Sequence, residues 1–425
     1  MAYGDDRHVV TIAGSRAGKT ETVLIPNLLT YPGSAVVIDP KGELAEKTAV
    51  QRRRMGQRVF ILDPFGEVQR RKKLDAAIRE AGVDLSDRSA SFNALEELRL
   101  IADADDLRGE AASFAEALIV TPDGESSHWS EAARRVLQAV CLHLLGRSMM
   151  PANLGSAVRF FASSDIQRLI YNEMRLSDAF GSLLKDVAAT NLKRMDGRGE
   201  EYSSIISTGD TQIAPLGDLM RVSEHSDFAL SDLKKQKMTL YLVLPASKMG
   251  SHYRWLRMIV TLALSALERD DTKPEHPVLF MLEEFAALGH MRPIERAAGY
   301  IAGFSVKLWT VLQDLPQLMN IYPRSWETFL GNAGVIQCFG LNDGTTEETI
   351  SKRLGTTRYE EPDIRPQPGF DSRRVDIPKD KQLGALLEPH EVRLLFARET
   401  HRQIVMIPNH PPIALFRLPF MTTRN

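Results

Sequence analysis

Residues 9–20 read VVTIAGSRAGKT, an apolar run followed at once by a glycine-rich turn. The apolar run at residues 9–12 predicts a short buried strand, and the apolar residues after the turn predict a helix. Gly14 and Gly18 let backbone N–H groups turn inward around phosphate oxygens, where a side chain would block them. The sequence therefore predicts a phosphate-binding loop between a strand and a helix.

Lys19 and Thr20 give this loop its charge and its hydroxyl. Lys19 supplies a point charge to the β- and γ-phosphates, and the Thr20 hydroxyl is a ligand for Mg²⁺. The helix that begins here adds its positive dipole end. Ala13 stands where the pattern GxxxxGK[ST] has its first glycine, so the match fails at one position. The expected contacts with ATP are Ala13, Gly14, Ser15, Arg16, Ala17, Gly18, Lys19, Thr20 and Glu21.

A second apolar run, PVLFMLEEF at residues 277–285, ends in the carboxylates Glu283 and Glu284. An enzyme that hydrolyses a nucleotide needs acids at a strand end to hold Mg²⁺ and to orient water. We expect Glu283 to bind Mg²⁺ with Thr20, and Glu284 to polarise the attacking water as a catalytic residue beside Lys19. The alternative is a strand that ends on a solvated acidic turn.

Polar residues also end two later apolar runs. Gln313 closes VKLWTVLQ and is expected to sense the γ-phosphate as a third catalytic residue. Asn342 and Asp343 follow the run at residues 335–341 in the same way and are weaker candidates.

The apolar runs also predict the fold class, which is α/β with a mainly parallel sheet. Short β-branched runs alternate with helical patterns at both ends of the chain, whereas residues 103–216 show helical spacing and few such runs. We expect a nucleotide-binding domain over residues 1–102 and 217–425, interrupted by an all-α domain over residues 103–216. The predicted strands are residues 9–12, 35–38, 59–62, 238–244, 278–282, 306–312 and 334–339, with an edge hairpin at 403–407 and 413–417.

Finer expectations concern the helices and loops. Pro26 predicts that the helix over residues 21–29 kinks or ends early. Residues 160–170, 177–189 and 191–195 are predicted as separate helical pieces. Residues 359–381, rich in Pro, Asp and Arg, predict a solvated loop.

Three surface features leave alternatives open. The basic clusters at residues 52–54 and 70–73 are expected on solvated helix faces, with a pore or anionic lipid as the alternative. Trp129 begins an apolar helix and is expected to pack in the hydrophobic core. The alternative is that His128 and Trp129 together face a substrate.

Composition excludes several protein classes. Hydrophobic residues make up 43% and charged residues 25%, which excludes extended disorder, and the net charge of −2 argues against a surface coated with basic residues. Cys141 and Cys338 lie among apolar residues without metal-ligand spacing, so we expect buried thiols and a cytoplasmic compartment. No run reaches the roughly 18 apolar residues of a membrane span, so the chain as given is expected to be soluble.

Taken in order along the chain, these stretches resemble the coupling ATPases of type IV secretion and conjugation systems. DPKGE at residues 39–43 and the EEFAALG segment at residues 283–289 carry most of the resemblance, which covers nearly the whole chain. The other matching stretches are AGSRAGKTETVLIPNLL, SFNAL, HWSEAARRVL, MTLYLVLP, LWTVLQDLPQL and LNDGTTEETISKRLG.

The resemblance implies a RecA-like P-loop NTPase domain interrupted by an all-α domain that docks substrate. It implies ATP and Mg²⁺ as cofactors and a hexameric ring at the cytoplasmic face of the bacterial inner membrane. The implied partners are the inner-membrane components of a type IV secretion system, with single-stranded DNA and its relaxase, or effector proteins, as cargo. Peripheral contact with the membrane is a further possibility.

Three departures from the family pattern keep other functions open. The family carries transmembrane helices before the phosphate loop, an Asp at the place of Glu283, and an arginine that reaches a neighbouring subunit where this chain has Ala302. Arg324 or Arg353 is the candidate replacement for that arginine. The alternatives to a coupling ATPase are a nucleotide-binding adaptor that docks effectors without efficient hydrolysis, and a translocase of double-stranded DNA.

Overall fold

The computed structural model describes residues 4–68, 70, 89–121, 127–146, 148–197, 200–359 and 382–420. Nine strands form one sheet in the order β11-β10-β7-β1-β6-β5-β2-β4-β3. These strands are β1 (His8–Ala13), β2 (Ala35–Ile38), β3 (Arg58–Leu62), β4 (Met238–Leu242), β5 (Val278–Leu282), β6 (Val306–Leu312), β7 (Ala333–Phe339), β10 (Arg402–Met406) and β11 (Ile413–Phe416). β8 (Thr356–Tyr359) and β9 (Gln382–Ala385) form a separate antiparallel pair.

The first seven strands are mutually parallel, and their side chains are buried on both faces of the sheet. This burial explains why the strands read as continuous apolar runs rather than alternating ones. β10 pairs antiparallel with β7, and β11 pairs antiparallel with β10, so the predicted edge hairpin is present. The expectation of an α/β fold with a mainly parallel sheet is confirmed.

Helices cover both faces of the sheet and fill the long connection from β3 to β4. Two helices lie between β1 and β3, namely α1 (Ile25–Thr30) and α2 (Glu43–Arg54). The connection from β3 to β4 contains α3 (Ala94–Arg99), α4 (Ala104–Leu118), α5 (Ser127–Leu145), α6 (Leu154–Ala162), α7 (Ser164–Met174), α8 (Leu183–Asp196), α9 (Glu200–Ile213) and α10 (Asp232–Lys235). Later connections contain α11 (Ala246–Arg269), α12 (Arg292–Tyr300), α13 (Leu315–Ile321), α14 (Trp326–Gly331), α15 (Gly344–Leu354) and α16 (Pro389–Leu395).

Within the described part of the connection from β3 to β4, the regular elements are helices. They pack their apolar faces into a core that continues under the sheet. This matches the helical character expected for residues 103–216, while the division of the chain into domains stays a prediction.

The helix after the phosphate loop passes Pro26 without a break, so the expected early end is wrong. Residues Thr20–Leu24 form a π-turn, and the N–H of Ile25 donates to the carbonyl of Thr20. This wider turn leads directly into α1, where Pro26 stands in the first turn. Proline is tolerated there because an N–H in the first turn of a helix has no α-helical partner.

Two predicted helix boundaries in the helical connection are also wrong. The single helix expected over residues 160–170 is broken at Ser163, which is extended and caps α7 by accepting from the N–H of Ile166. The pieces expected at 177–189 and 191–195 are one helix, α8, which begins only at Leu183. Phe180 and Gly181 have φ values of +59° and +65°, so a right-handed helix cannot run through these two residues into α8.

Arg52 lies in the core, which corrects the expectation of a solvated basic cluster at residues 52–54. Its guanidinium is fully buried and donates to the carbonyl oxygens of Leu28 (3.1 Å) and Gly33 (2.6 Å) and to the hydroxyl of Thr239 (2.9 Å). A third carbonyl, that of Tyr31, also accepts from it. Arg52 therefore supplies the donors that the end of α1 and the turn before β2 lack.

The other expectations from the sequence concern the two cysteines, membrane spans and two polar segments. Cys141 and Cys338 are buried free thiols, as expected. No helix among the described residues is both long and apolar enough to cross a bilayer. The predicted loop at residues 359–381 lies outside the described residues from residue 360 onward, as do residues 71–73 of the second basic cluster.

Candidate nucleotide site

The phosphate loop follows β1 in the middle of the sheet, at the carboxyl edge of the parallel strands. The Lys19 ammonium donates to the carbonyl oxygen of Ala13 at 3.1 Å, which folds its side chain back over the loop. Burial lowers the pKa of Lys19, whereas the nearby charges of Glu284 and Glu283 act to raise it. The loop therefore holds one amine against two carboxylates that belong to another strand.

Two positive φ values give the loop its turns. Gly18 has a φ of +85°, and Arg16 has a φ of +56°, which is uncommon for a residue with a side chain. Ser15 and Arg16 are exposed at the tip, and Ala17 is buried beneath it. Backbone turns of this kind collect N–H groups into an anion-binding concavity.

Gly14 is required by a close backbone approach as well as by the phosphate. Its N–H donates to the carbonyl oxygen of Gly340, just after β7, at 3.2 Å. A Cβ atom at Gly14 would lie 2.3 Å from that oxygen, and a Cβ at Gly340 would lie 2.8 Å from the Cβ of Ala17. Only glycine fits at either position without moving the loop away from β7.

The predicted magnesium ligands Thr20 and Glu283 are in contact. The Thr20 hydroxyl donates to Oε1 of Glu283 at 3.2 Å, across 263 positions of sequence. Burial, together with the neighbouring charge of Asp39, raises the pKa of Glu283 to about 7, against the hydrogen bond from Thr20, which acts to lower it. A hydroxyl and a carboxylate side by side are hard oxygen donors of the kind that Mg²⁺ accepts, so these two residues fit the ion.

Glu284 and Gln313 form the second pair at this edge. Glu284 follows Glu283 with a φ of +54°, a left-handed conformation that turns its side chain away from the direction of β5. Nε2 of Gln313 donates to Oε2 of Glu284 at 3.3 Å. A non-glycine residue in this conformation costs about 1 kcal/mol or more and is typical of functional sites. The carboxylate is thus held by the amide at the end of the adjacent strand.

Asp39 and Lys41 occupy the turn after β2, which lies directly beside β5. The Asp39 carboxylate is buried and accepts from the N–H groups of Glu43 (3.0 Å) and Ala45 (2.8 Å), so it caps α2. Burial raises the pKa of Asp39 to about 6. Lys41 is exposed at the tip of the turn, and its charge acts to lower the pKa of both Lys19 and Glu283.

Glu21, the last of the predicted nucleotide contacts, is engaged with the same helix. Lys47 on α2 forms ion pairs with Glu21 and, at 3.1 Å, with Glu43. The backbone carbonyl of Glu21 accepts from the N–H of Phe420 at 3.0 Å. The side chain of Glu21 is thus directed toward α2, and its link with Lys47 ties the phosphate-loop helix to the first turns of α2.

Arg417 braces the phosphate loop from the other end of the chain. Its guanidinium is buried, donates to the carbonyl oxygen of Ala17 at 2.5 Å, and lies 4.2 Å from the ring centre of Phe339. It also donates to the carbonyls of Arg398 and Arg402, each at 3.2 Å. No signal in the sequence points to this residue, because it lies 400 positions after the loop, directly after the edge strand β11 and without a local motif.

Arg257 on α11 joins the segment after Glu284 to the helical connection. Its buried guanidinium donates to the carbonyl oxygens of Leu288 (2.6 Å) and His290 (2.8 Å), and to that of Ala117 (3.1 Å) at the end of α4. Because buried carbonyls need partners, this arginine fixes the two segments to each other.

The weaker site candidates lie apart from the two pairs that contain a carboxylate, Thr20 with Glu283 and Glu284 with Gln313. The Asn342 amide lies near Gly14, where a Cβ atom would approach it to 3.6 Å. Asp343 caps α15 by accepting from the N–H of Thr346 at 2.8 Å, so a structural role accounts for it. Arg324 and Arg353 are exposed, and no described contact joins either to the phosphate loop. Nothing is described for the side chain of Ala302.

A cleft of about 360 Å³ opens between α5 and α8 in the helical connection. It is lined by side chains of both charges, among them Glu131, Arg135 and Asp186. His128 stands at its rim with its ring 4.7 Å from that of Trp129, which is half-buried and packs against the core. Trp129 therefore contributes to the core, as expected, while His128 faces the cleft.

Comparison with known proteins places these features in a family. The family described as "Type IV secretory system Conjugative DNA transfer" matches residues 1–422. The protein VirD4 of Agrobacterium fabrum is 27% identical over 433 residues, which cover 100% of this chain and 60% of that protein. The conjugal transfer protein TraG of Escherichia coli is 27% identical over 379 residues, covering 84% of this chain and 56% of TraG.

Among solved structures, the unbound bacterial conjugative coupling protein TrwBdeltaN70 superposes with a TM-score of 0.70 at 14% identity. The match covers 99% of this chain and 88% of that one, and it confirms the RecA-like α/β fold. This chain spans about 60% of the length of VirD4 and 56% of the length of TraG.

Proposed function

This chain belongs to the type IV secretory system conjugative DNA transfer family, and on that basis we propose that it is a coupling ATPase. In this role it recruits a substrate and uses ATP hydrolysis to drive it into a type IV secretion channel. One observation carries the proposal: five side chains from three separate segments converge at the carboxyl edge of the sheet, namely Lys19, Thr20, Glu283, Glu284 and Gln313.

The proposed roles follow from this geometry. Lys19 exchanges the carbonyl of Ala13 for the β- and γ-phosphates, and Gln313 holds the Glu284 carboxylate where a water can donate to it. The water oxygen forms a bond to the γ-phosphorus while the bond from this phosphorus to the oxygen of ADP breaks. Glu284 accepts the proton of the water, and the products are ADP and inorganic phosphate.

Thr20 and Glu283 would hold Mg²⁺, which supplies charge neutralisation at the phosphates when bound. Support comes from the contact between the two side chains and from TrwB, whose solved complexes include one with ADP and Mg²⁺ and one with the ATP analogue ADPNP. If the Thr20–Glu283 hydrogen bond breaks when the ion binds, the oxygen atoms of both side chains become available as ligands for the metal.

The helical connection is the proposed substrate-docking domain, over residues 103–216. The mixed-charge cleft between α5 and α8 offers a recognition surface, and Arg257 offers a direct link from this region to the segment after Glu284. The proposed cargo is single-stranded DNA with its relaxase, or effector proteins.

We further propose a homo-oligomeric ring of six subunits, by analogy with its family, at the cytoplasmic face of the bacterial inner membrane. Partners would be the inner-membrane components of the secretion system. In such a ring an exposed arginine, Arg324 or Arg353, would reach the nucleotide of the neighbouring subunit.

The test is the steady-state ATPase rate of the purified chain, with and without single-stranded DNA and liposomes, beside the variants Lys19→Ala and Glu284→Gln. Removal of the charge or of the base is expected to lower kcat by roughly 10²–10⁴-fold. Lys237→Ala is the matched control, because Lys237 is exposed and precedes β4 at the opposite edge of the sheet.

Light scattering on the same samples reports the oligomeric state, since a chain that forms no ring would lack a neighbouring arginine. A parent chain that assembles and binds nucleotide, yet hydrolyses none under any of these conditions, would refute the motor and support the nucleotide-binding adaptor. Stimulation by double-stranded but not single-stranded DNA would support a double-stranded DNA translocase instead.

A further inference from the structure

Lys41 is a charged residue at this edge of the sheet to which no role was assigned from the sequence. We propose that Lys41 is a second cation for the γ-phosphate of ATP, acting from the same chain as Lys19. The inference rests on the proposed nucleotide site and deepens it, because it states how that site would distinguish ATP from ADP.

The turn that carries Lys41 is rigid. Gly42 has a φ of +66°, and a Cβ atom there would lie 2.8 Å from Cγ2 of Val68, so only glycine fits. The Asp39 carboxylate accepts from the N–H groups of Glu43 and Ala45 and thereby locks the start of α2. With the turn fixed on both sides, the backbone of Lys41 has a defined place and only its side chain can move.

That place lies beside the end of β5, where Glu283 follows the strand. β2 and β5 are parallel neighbours in the register Ile38 to Leu282, so Asp39 and Glu283 follow at the same level of the sheet. Lys41 stands two residues beyond this level, above the carboxyl edge where the phosphate loop also lies. Its charge acts on the pKa of Lys19 and of Glu283, which places the three groups within electrostatic reach of one another.

Lys41 differs from the other lysine of this region in having no partner. Lys47 is held between Glu21 and Glu43 on the helix surface, which satisfies its charge. Across the residues that the structure describes, no hydrogen bond or ion pair holds the exposed ammonium of Lys41. A rigid backbone that presents an unpaired amine beside a phosphate loop is the arrangement that an anionic ligand would complete.

The γ-phosphate is the group that this amine would recognise. Lys19 would reach the β-phosphate, which ATP and ADP share, as well as the γ-phosphate, whereas Lys41 would meet only the γ-phosphate, because it approaches from β2, on the far side of Glu283. A cation in this position meets the additional negative charge of ATP and the charge that spreads over the γ-oxygens in the transition state. Lys41 would thus favour ATP over ADP and raise the rate of hydrolysis.

The test compares binding of ADP and of ADPNP, each with Mg²⁺, by displacement of a fluorescent nucleotide. Lys41→Met, which keeps the length of the side chain and removes its charge, is expected to weaken ADPNP binding about five- to tenfold. The affinity for ADP is expected to stay within about twofold, and Lys41→Arg is expected to restore most of the ADPNP affinity. Lys237→Met is the matched control on the opposite edge of the sheet.

The measurement is made at dilutions where light scattering finds single chains, so that a contribution from a neighbouring subunit is excluded. Equal weakening of ADP and ADPNP, or no weakening of either, would overturn the inference. Binding needs no hydrolysis, so this outcome is separate from failure of the proposed function. Failure of the nucleotide site itself would instead appear as unchanged binding in Lys19→Ala.

Discussion

At the scale of single residues, the phosphate loop is shaped by contacts with distant segments of its own chain. Gly14 is in contact with the carbonyl of Gly340, and the carbonyl of Ala17 accepts from Arg417. Both contacts come from segments that lie more than 300 positions away. The glycine that the motif assigns to phosphate binding therefore also permits β7 to approach the loop.

This contact predicts the effect of Gly14→Ala. The added Cβ would stand 2.3 Å from the carbonyl oxygen of Gly340 and must push the loop away from β7. We expect nucleotide affinity to fall at least about tenfold and the free energy of unfolding to fall by about 1–3 kcal/mol. Urea unfolding and nucleotide titration measure the two effects.

Gly109→Ala is the control for this variant. Gly109 lies inside α4, where no atom stands within 4 Å of an added Cβ, so alanine should stabilise the helix by up to about 1 kcal/mol. Wild-type nucleotide binding by Gly14→Ala would contradict the role given to this glycine.

At the scale of elements, buried polar side chains join segments that are separate in sequence. Arg52 ties α1 and the turn before β2 to β4, and Arg257 ties the segment after Glu284 to α4. His8 does the same at the start of β1. Its Nδ1 accepts from the N–H of Leu308 at 3.1 Å, and its Nε2 lies 3.0 Å from the carbonyl oxygen of Ala297.

This pair of contacts requires a neutral His8 with its proton on Nε2. Burial lowers the pKa of His8 below its ordinary value of 6.5, and the charge of Lys307 lowers it further, against the carbonyl of Ala297 and the charge of Asp6. A lowered pKa in the folded state means stability that is present above the unfolded pKa and is lost as the pH falls through the folded pKa.

We therefore expect His8→Asn to be less stable than the parent chain by about 1 kcal/mol at pH 7.5, and the difference to shrink as the pH falls to 5. Asparagine keeps a donor and an acceptor but does not titrate. Guanidinium unfolding at pH 7.5, 6 and 5 measures the difference. A gap that stays constant or widens toward pH 5 would exclude titration of His8 as its cause.

At the scale of the whole molecule, the carboxyl edge of the sheet is where a second subunit would act. The nucleotide side chains lie at this edge, and the exposed candidates Arg324 and Arg353 are not joined to the site within one chain. If hydrolysis depends on neighbours in a ring, one defective subunit also affects the site beside it.

Mixtures of the parent chain with Glu284→Gln test this dependence. We expect the ATPase rate of the mixture to fall more steeply than the fraction of parent chain, because each inactive subunit removes its own turnover and disturbs its neighbour. Mixtures with Lys237→Ala should keep their full rate. A rate strictly proportional to the parent fraction, in samples where light scattering detects the oligomer, would indicate independent sites.

Much of the site was predictable because its signals are local. A glycine loop after a strand, paired acids at Glu283 and Glu284, and an amide at Gln313 each follow from the residue types within a few positions. The parallel strands could be located because burial on both faces leaves continuous apolar runs. Local sequence was thus enough to predict the fold class, which is confirmed, and to propose the chemistry of the candidate nucleotide site, which stays a prediction.

The tertiary structure decided which of these residues meet. The order of strands places β5 between β6 and β2, which brings Glu283 to Thr20 and sets the turn that carries Lys41 beside the end of β5, and no local pattern specifies that order. Packing also placed Arg52 in the core and Arg417 against the phosphate loop, although an arginine is usually predicted to lie on the surface. The physical reason is that buried carbonyls need donors, and their positions exist only once distant segments are packed together.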